Sequence, residues 1–215
     1  MGRGIFITLE GIEGSGKSTQ LKRLAQWLRE QNRQVIETRE PGGTVIGTSI
    51  RNMLLDPEQR FQDPHSELLL FTVDRLEHIK SVIQPAIDRG DWVLSDRYID
   101  SSYAYQRGGR ELPESFVMQC LNWAPVIPDI TVLIDLDIQE GLARAKARQA
   151  LDRFEQESLA FHERVRQAYL DRAAADPTRM ICIRDEGKGP DAVTQAVIAA
   201  VSTHPKIQEQ LRVHS

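Results

Sequence analysis

Residues 9–20 read LEGIEGSGKSTQ, and Gly11, Gly16, Lys17 and Ser18 satisfy the spacing G-x-x-x-x-G-K-[ST]. Nothing else in the chain limits its fold so strongly. Glycines let the backbone turn so that successive N–H groups point at phosphate oxygens. A helix opening directly after them adds its positive end and free donors. The lysine reaches the outer phosphates of a nucleotide, and the following hydroxyl is placed to bind Mg²⁺. A flexible glycine-rich turn can match the same spacing by accident, so the flanks decide. Ile5 to Leu9 is an apolar run that reads as a buried strand. Beyond Ser18 the period changes, and Leu21, Leu24, Ala25 and Leu28 fall at i, i+3, i+4 and i+7, one stripe of a helix. Strand, loop, helix is the context the motif requires. The segment Gly11, Ile12, Glu13, Gly14, Ser15, Gly16, Lys17, Ser18, Thr19 is therefore expected to cradle a nucleoside triphosphate.

Further apolar runs at 34–38 (QVIET), 92–96 (WVLSD), 130–136 (ITVLIDL) and 180–183 (MICI) read as strands, with helical patterns between them. One helix is expected over 66–89, with Leu69, Val73, Leu76, Ile79, Ile83 and Ala86 along one side and Pro85 as a kink; another covers 192–201. The alternation predicts an α/β P-loop fold: a five-stranded parallel sheet with helices on both faces. Residues 1–204 form one domain in this reading, and 205–215 a polar tail that frays. With 27 basic against 31 acidic side chains, broad coating of nucleic acid is not expected. No stretch approaches the roughly 20 apolar residues of a membrane span, and the first apolar run meets Glu10 too soon for a signal peptide. A cytoplasmic enzyme is expected, with Cys120 and Cys182 as buried, reduced thiols.

GTPases read guanine with an Asn-Lys-x-Asp segment, which is absent, as is the Ser-Gly-Gly-Gln-like signature of transport ATPases. The remaining large class passes the γ-phosphoryl to a small acceptor. SDRYIDSSYAYQ (95–106) begins where a buried strand ends, the end at which open α/β sheets place ligands. Asp96 there suits Mg²⁺ through water, and Arg97 an acceptor phosphate; a surface Asp-Arg turn is the plainer alternative. Phe71 and Arg75, at i and i+4, share a helix face. They suit a flat heterocycle, one by stacking and one by donating to carbonyl oxygens. They equally suit a core phenylalanine and an arginine paired with Asp74 or Glu77. The basic run 144–157, carrying Arg144, Lys146, Arg148 and Arg153, is either a solvated helix face or a mobile lid. A lid would bring positive charge to the transition state and exclude water.

In combination, GIEGSGKST, TREPGGT, FTVDR, DRYIDSSYAYQ and LDRFEQE, spread over residues 5–200, resemble the thymidylate kinase family in its bacterial pattern. That resemblance implies transfer of the γ-phosphoryl of MgATP to dTMP, with Lys17, Arg97, Arg148 and Arg153 as catalytic residues. Ser18 and Asp96 would serve the metal. Glu13 would lie near the 3′-hydroxyl, Phe71 and Arg75 would hold the base, and Ser102 and Gln106 would lie beside it. Tyr105 would crowd the 2′ position, Arg51 would lie near the base, and 183–189 would border adenine. It also implies a cis Glu40–Pro41 bond and a homodimer formed through helices, the long helix among them. Two rivals remain open at this stage: a kinase for another nucleoside monophosphate, and a nucleotide-switched binding module with no small acceptor. A panel of monophosphates separates all three.

Overall fold

The structure is a computed structural model that describes residues 2–148 and 151–212. Five strands, β1 (Phe6–Glu10), β2 (Val35–Arg39), β3 (Trp92–Asp96), β4 (Ile130–Asp135) and β5 (Met180–Arg184), form one sheet in the order β2-β3-β1-β4-β5. Every pairing is parallel. The helices are α1 (Lys17–Glu30), α2 (Val45–Leu55), α3 (Pro64–His78), α4 (Gln84–Asp88), α5 (Ile99–Ser102), α6 (Glu114–Leu121), α7 (Ile138–Arg148), α8 (Leu159–Ala175), α9 (Pro190–Thr203) and α10 (Pro205–Arg212). Two π-helical segments, Ile79–Ile83 and Tyr103–Gly109, continue α3 and α5.

The central strands β1 and β4 are buried along their whole length because helices cover both of their faces. Alternation along β1 divides the core. Ile7 and Leu9 pack with Leu24, Leu28, Val132 and Val197 on one side, and Phe6 packs with Leu68, Ile83, Val93 and Tyr98 on the other. β1 is flanked by β3 and β4, so the chain leaves it in opposite directions. The crevice at the strands' C-terminal ends opens at that switch point, where Leu9 lies beside Asp96.

The apolar side expected over 66–89 divides. Leu69, Val73 and Leu76 lie exposed on α3, where the buried residues are Glu67, Leu68, Thr72, Asp74, Arg75 and His78. Period alone does not say which side of a helix faces inward; of α3, Phe71 and Arg75 line the cleft, while Leu68 packs in the core. The π-helical turn then shifts the phase, and Ile79, Ile83 and Ala86 are buried. Two expectations are corrected. Residues 205–212 are helical rather than frayed: Pro205 starts α10, and Ile207 is fully buried beside α9. Cys120 is buried, whereas Cys182 sits exposed on edge strand β5.

Candidate active site

The turn from β1 into α1 builds the loop. Gly16 caps the helix at φ 87°, a left-handed conformation that favours glycine. Gly14 (φ 71°) faces the start of α7 so closely that a Cβ there would lie 2.1 Å from the carbonyl oxygen of Gly141. No arginine fits at that loop position. Lys17 is 7% exposed, and its Nζ donates to the Ile12 carbonyl (2.7 Å) and to Ser15 Oγ (3.4 Å). Burial, and then the Arg97 charge, pulls its ammonium down to about 8. The Thr19 side chain is exposed, and its N–H bonds to the Gly16 carbonyl. Ser18 Oγ donates to Asp96 Oδ2 at 2.6 Å, so strand β3 delivers its terminal carboxylate to the start of α1.

Arg97 follows at φ 73°, an uncommon conformation for a side chain with a Cβ. Its N–H bonds to the Leu9 carbonyl. Nη1 donates to the Gly11 carbonyl, Ser101 Oγ and Tyr169 Oη, and Nη2 to Glu13 Oε1 and Tyr105 Oη. Such over-determination is what holds a strained backbone in place. Glu13 Oε1 also accepts from the Tyr105 hydroxyl. Burial pushes the Glu13 carboxyl up, but Arg97, Lys17 and Tyr105 outweigh it, and the net shift is down. Its other oxygen, Oε2, is buried without a hydrogen-bond partner.

From the loop a cleft of about 690 Å³ runs under α2, α3 and the 103–109 segment. It is lined by Glu13, Gly14, Lys17, Ser18, Arg51, Phe71, Arg75, Asp96, Arg97, Ser102, Tyr105 and Gln106. Arg51, reached from α2, donates to the Pro41 carbonyl at 2.9 Å, and the Glu40–Pro41 bond is cis. Arg75 pairs with neither Asp74 nor Glu77. Its Nε donates to Glu40 Oε2 (2.9 Å), and its Nη2 to Ser102 Oγ (2.8 Å) and the Tyr98 carbonyl. Glu40 is held on its other oxygen by His78 Nδ1. Arg75 Nη1 is buried with no partner, and so is Gln106 Oε1. One is a donor, the other an acceptor.

The basic run divides. Arg144 pairs with Glu140 and with Asp185, at the start of the 183–189 segment. Arg148 ends α7, and its side chain lies outside the described residues. Arg153 is not free above the loop but 8% exposed against Glu67 of α3. Its Nη1 lies 2.7 Å from Glu67 Oε2, and its Nε donates to the Leu54 carbonyl. Spacing could not show this, because Glu67 is far away in the chain. Phe154 packs between Phe71 (centroids 6.0 Å apart) and Tyr105 (5.6 Å) and roofs the cleft. Sequence reasoning missed Glu40, Glu67, Ser101, Arg110, Phe154 and Tyr169. Glu67 alone had a legible signal, lying one turn before Phe71 on the face shared with Arg75.

The chain as a whole resembles known proteins. A family model described as thymidylate kinase matches residues 9–197. A thymidylate kinase of Pseudomonas entomophila is 48% identical over 97% of this chain and 99% of its own length. One of Deinococcus radiodurans is 46% identical over 94% and 98%. The crystal structure of the thymidylate kinase of Ehrlichia chaffeensis, at 36% identity, superposes with a TM-score of 0.76 and covers 94% of this chain and all of that one.

Proposed function

The chain belongs to the thymidylate kinase family, and from that premise we propose how its residues divide the work of moving the γ-phosphoryl of ATP onto dTMP, giving dTDP and ADP. The amides of residues 11–19 and the Lys17 ammonium hold the donor's outer phosphates. Arg97 receives the acceptor's 5′-phosphate from the opposite side, so the two anions meet between fixed cations. A phosphate monoester with a second pKa of about 6 is already nucleophilic at neutral pH. No general base is assigned. Positioning and charge neutralisation supply the rate.

At the far end Phe71 stacks on the base. Glu13 Oε2, the oxygen without a hydrogen-bond partner, accepts from the 3′-hydroxyl, and Tyr105, drawn against Arg97 and Glu13, fills the 2′ side. Ser102 orients Arg75, and Arg51 closes the α2 side. One observation carries the choice of base: the cleft-lining residues Arg75 and Gln106 leave a donor and an acceptor unpaired. Thymine presents the complement, a carbonyl oxygen and an adjacent N–H. Cytosine presents an amine and a lone pair and mismatches both.

Mg²⁺ fits the oxygen donors Ser18 and Asp96, which touch each other beside the loop. Among the described residues no group of three His, Cys, Asp or Glu could cage a metal. That suits an ion carried mainly by phosphates and water, which when bound neutralises phosphate charge. Arg148 supplies positive charge from the segment 144–157, and Arg153 ties the later part of that segment to Glu67 of α3. The exposed Leu69, Val73 and Leu76 of α3, with Ile46 and Met53 of α2, support a homodimer. Residues 1–204 act as one domain, with α10 packed onto its core. No described helix is long and apolar enough to cross a membrane, and a cytoplasmic location with no nucleic-acid partner follows from the soluble substrates. Measuring ADP release with dTMP, dUMP, dCMP and dGMP tests the reading. Fast turnover with dTMP and slow turnover with dCMP is expected; ATP binding unaffected by any monophosphate would replace the kinase with a switch.

A further inference from the structure

We infer that Glu67 determines base specificity by fixing which end of the Gln106 amide faces the acceptor. The inference rests on the dTMP reading above and assigns Glu67 a positioning role within it. Glu67 is 1% exposed on α3, behind the cleft-lining Gln106 and one helical turn before Phe71. Three cationic or amide donors converge on its carboxylate. Gln106 Nε2 donates to Oε1 at 2.9 Å, Arg110 Nε donates to Oε1 at 3.2 Å and to Oε2 at 3.3 Å, and Arg153 Nη1 meets Oε2 at 2.7 Å. A side-chain amide has a donor end and an acceptor end of nearly the same shape, and only its partners decide its orientation. A carboxylate between two guanidinium groups offers acceptors alone. The amide nitrogen of Gln106 must therefore turn to Glu67, and its oxygen is left unpaired.

The consequence is chemical. With the oxygen outward, Gln106 accepts from the N–H of thymine or uracil and sets two lone pairs against each other when cytosine enters. Were the amide reversed, cytosine's ring nitrogen would find a donor and thymine would not. A site that leaves its own buried group unpaired against the wrong ligand discriminates more steeply than one that differs only in apolar fit. Glu67 thus acts on the base without touching it, and through Arg110 and Arg153 the same carboxylate ties that choice to the lid segment that roofs the cleft. Arg110 also reaches Glu157 at 2.5 Å.

Glu67→Gln is the test, because glutamine can donate to Gln106 as well as accept from it. The readout is the ratio of kcat/KM for dTMP to that for dCMP, in which any loss common to both substrates cancels. The ratio is expected to fall at least about tenfold. In a Gln106→Met background the same substitution is expected to change it less than about twofold, since the effect runs through that amide. If Glu67→Gln does not fold, Glu67→Asp is read in the same way, because it keeps the charge opposite Arg110 and Arg153 while withdrawing the acceptor from Gln106. Equal losses for both substrates, an unchanged ratio, or an undiminished effect in the Gln106→Met background would overturn the inference. No turnover of dTMP by the wild-type protein refutes the functional reading as well; turnover of dTMP with a ratio indifferent to Glu67 refutes this role alone.

Discussion

Replacing Lys17 by methionine is expected to stabilise the free protein while disabling it. The Lys17 ammonium is buried beside Arg97 and lies at about 8 instead of its ordinary 10.5. A depression of about 2.5 units corresponds to about 3 kcal/mol by which the folded state disfavours the charged form. Below pH 8 both folded and unfolded chains carry the proton, and the folded chain bears that full cost. Between about pH 8 and 10.5 the folded chain has lost the proton while the unfolded chain keeps it, so wild-type stability rises with pH across that window. Methionine removes the charge at nearly the same length but forfeits the bonds to the Ile12 carbonyl and Ser15 Oγ, a loss of about 1 kcal/mol. The net gain at pH 7 is about 2 kcal/mol, or a rise in Tm of about 4–8 °C for a chain of this size. Calorimetry of both proteins without nucleotide at pH 7 and pH 10 reads it. The advantage of Lys17→Met should be clear at pH 7 and vanish by pH 10, and saturating ATP should reverse the order at pH 7 by stabilising only the wild type. A variant less stable than wild type at pH 7, or a difference that does not change with pH, would refute the argument.

The same ammonium should take up a proton when a triphosphate binds, because the added negative charge restores the charged form. At pH 8.5, calorimetric titrations of ATP in buffers of different ionisation enthalpy are expected to show net uptake, and at pH 6.5 none from this group. Arg75→Met leaves Glu40 with His78 alone; losing one partner of a buried pair costs about 3–5 kcal/mol, so Tm should drop by about 10 °C, and KM for dTMP should rise more than KM for ATP. Leu69→Asp combined with Val73→Asp places charge on the exposed apolar stripe of α3. Sedimentation should show a monomer that retains its Tm within a few degrees, whereas an unchanged sedimentation coefficient removes α3 from the dimer contact.

The strands and the phosphate loop were legible because local chemistry dictates them. Continuous apolar runs mark a doubly covered parallel sheet, and the glycine spacing of 11–16 meets its helix at once. The exposed stripe of α3 was not legible, since an apolar row looks alike whether it faces a core or a partner. Arg75 was placed on the correct face, but its carboxylate, Glu40, lies 35 residues upstream in a different element. Arg153 was read as a free cation because a basic run shows its charges and hides the single acid, Glu67, that anchors one of them. The helix at 205–212 depends on Pro205 and one buried isoleucine, too little apolar signal to rise above a polar tail.

The central claim is that the Lys17 loop and the Arg97 cleft hold two nucleotides so that one passes a phosphoryl group directly to the other. Phosphorus NMR of the purified protein with ATP, magnesium and dTMP tests it most directly. The account predicts dTDP and ADP appearing in equal amounts, with negligible inorganic phosphate and almost no ATP consumed when dTMP is left out. ATP consumed to free phosphate at the same rate with or without dTMP, and no dTDP formed, would contradict it.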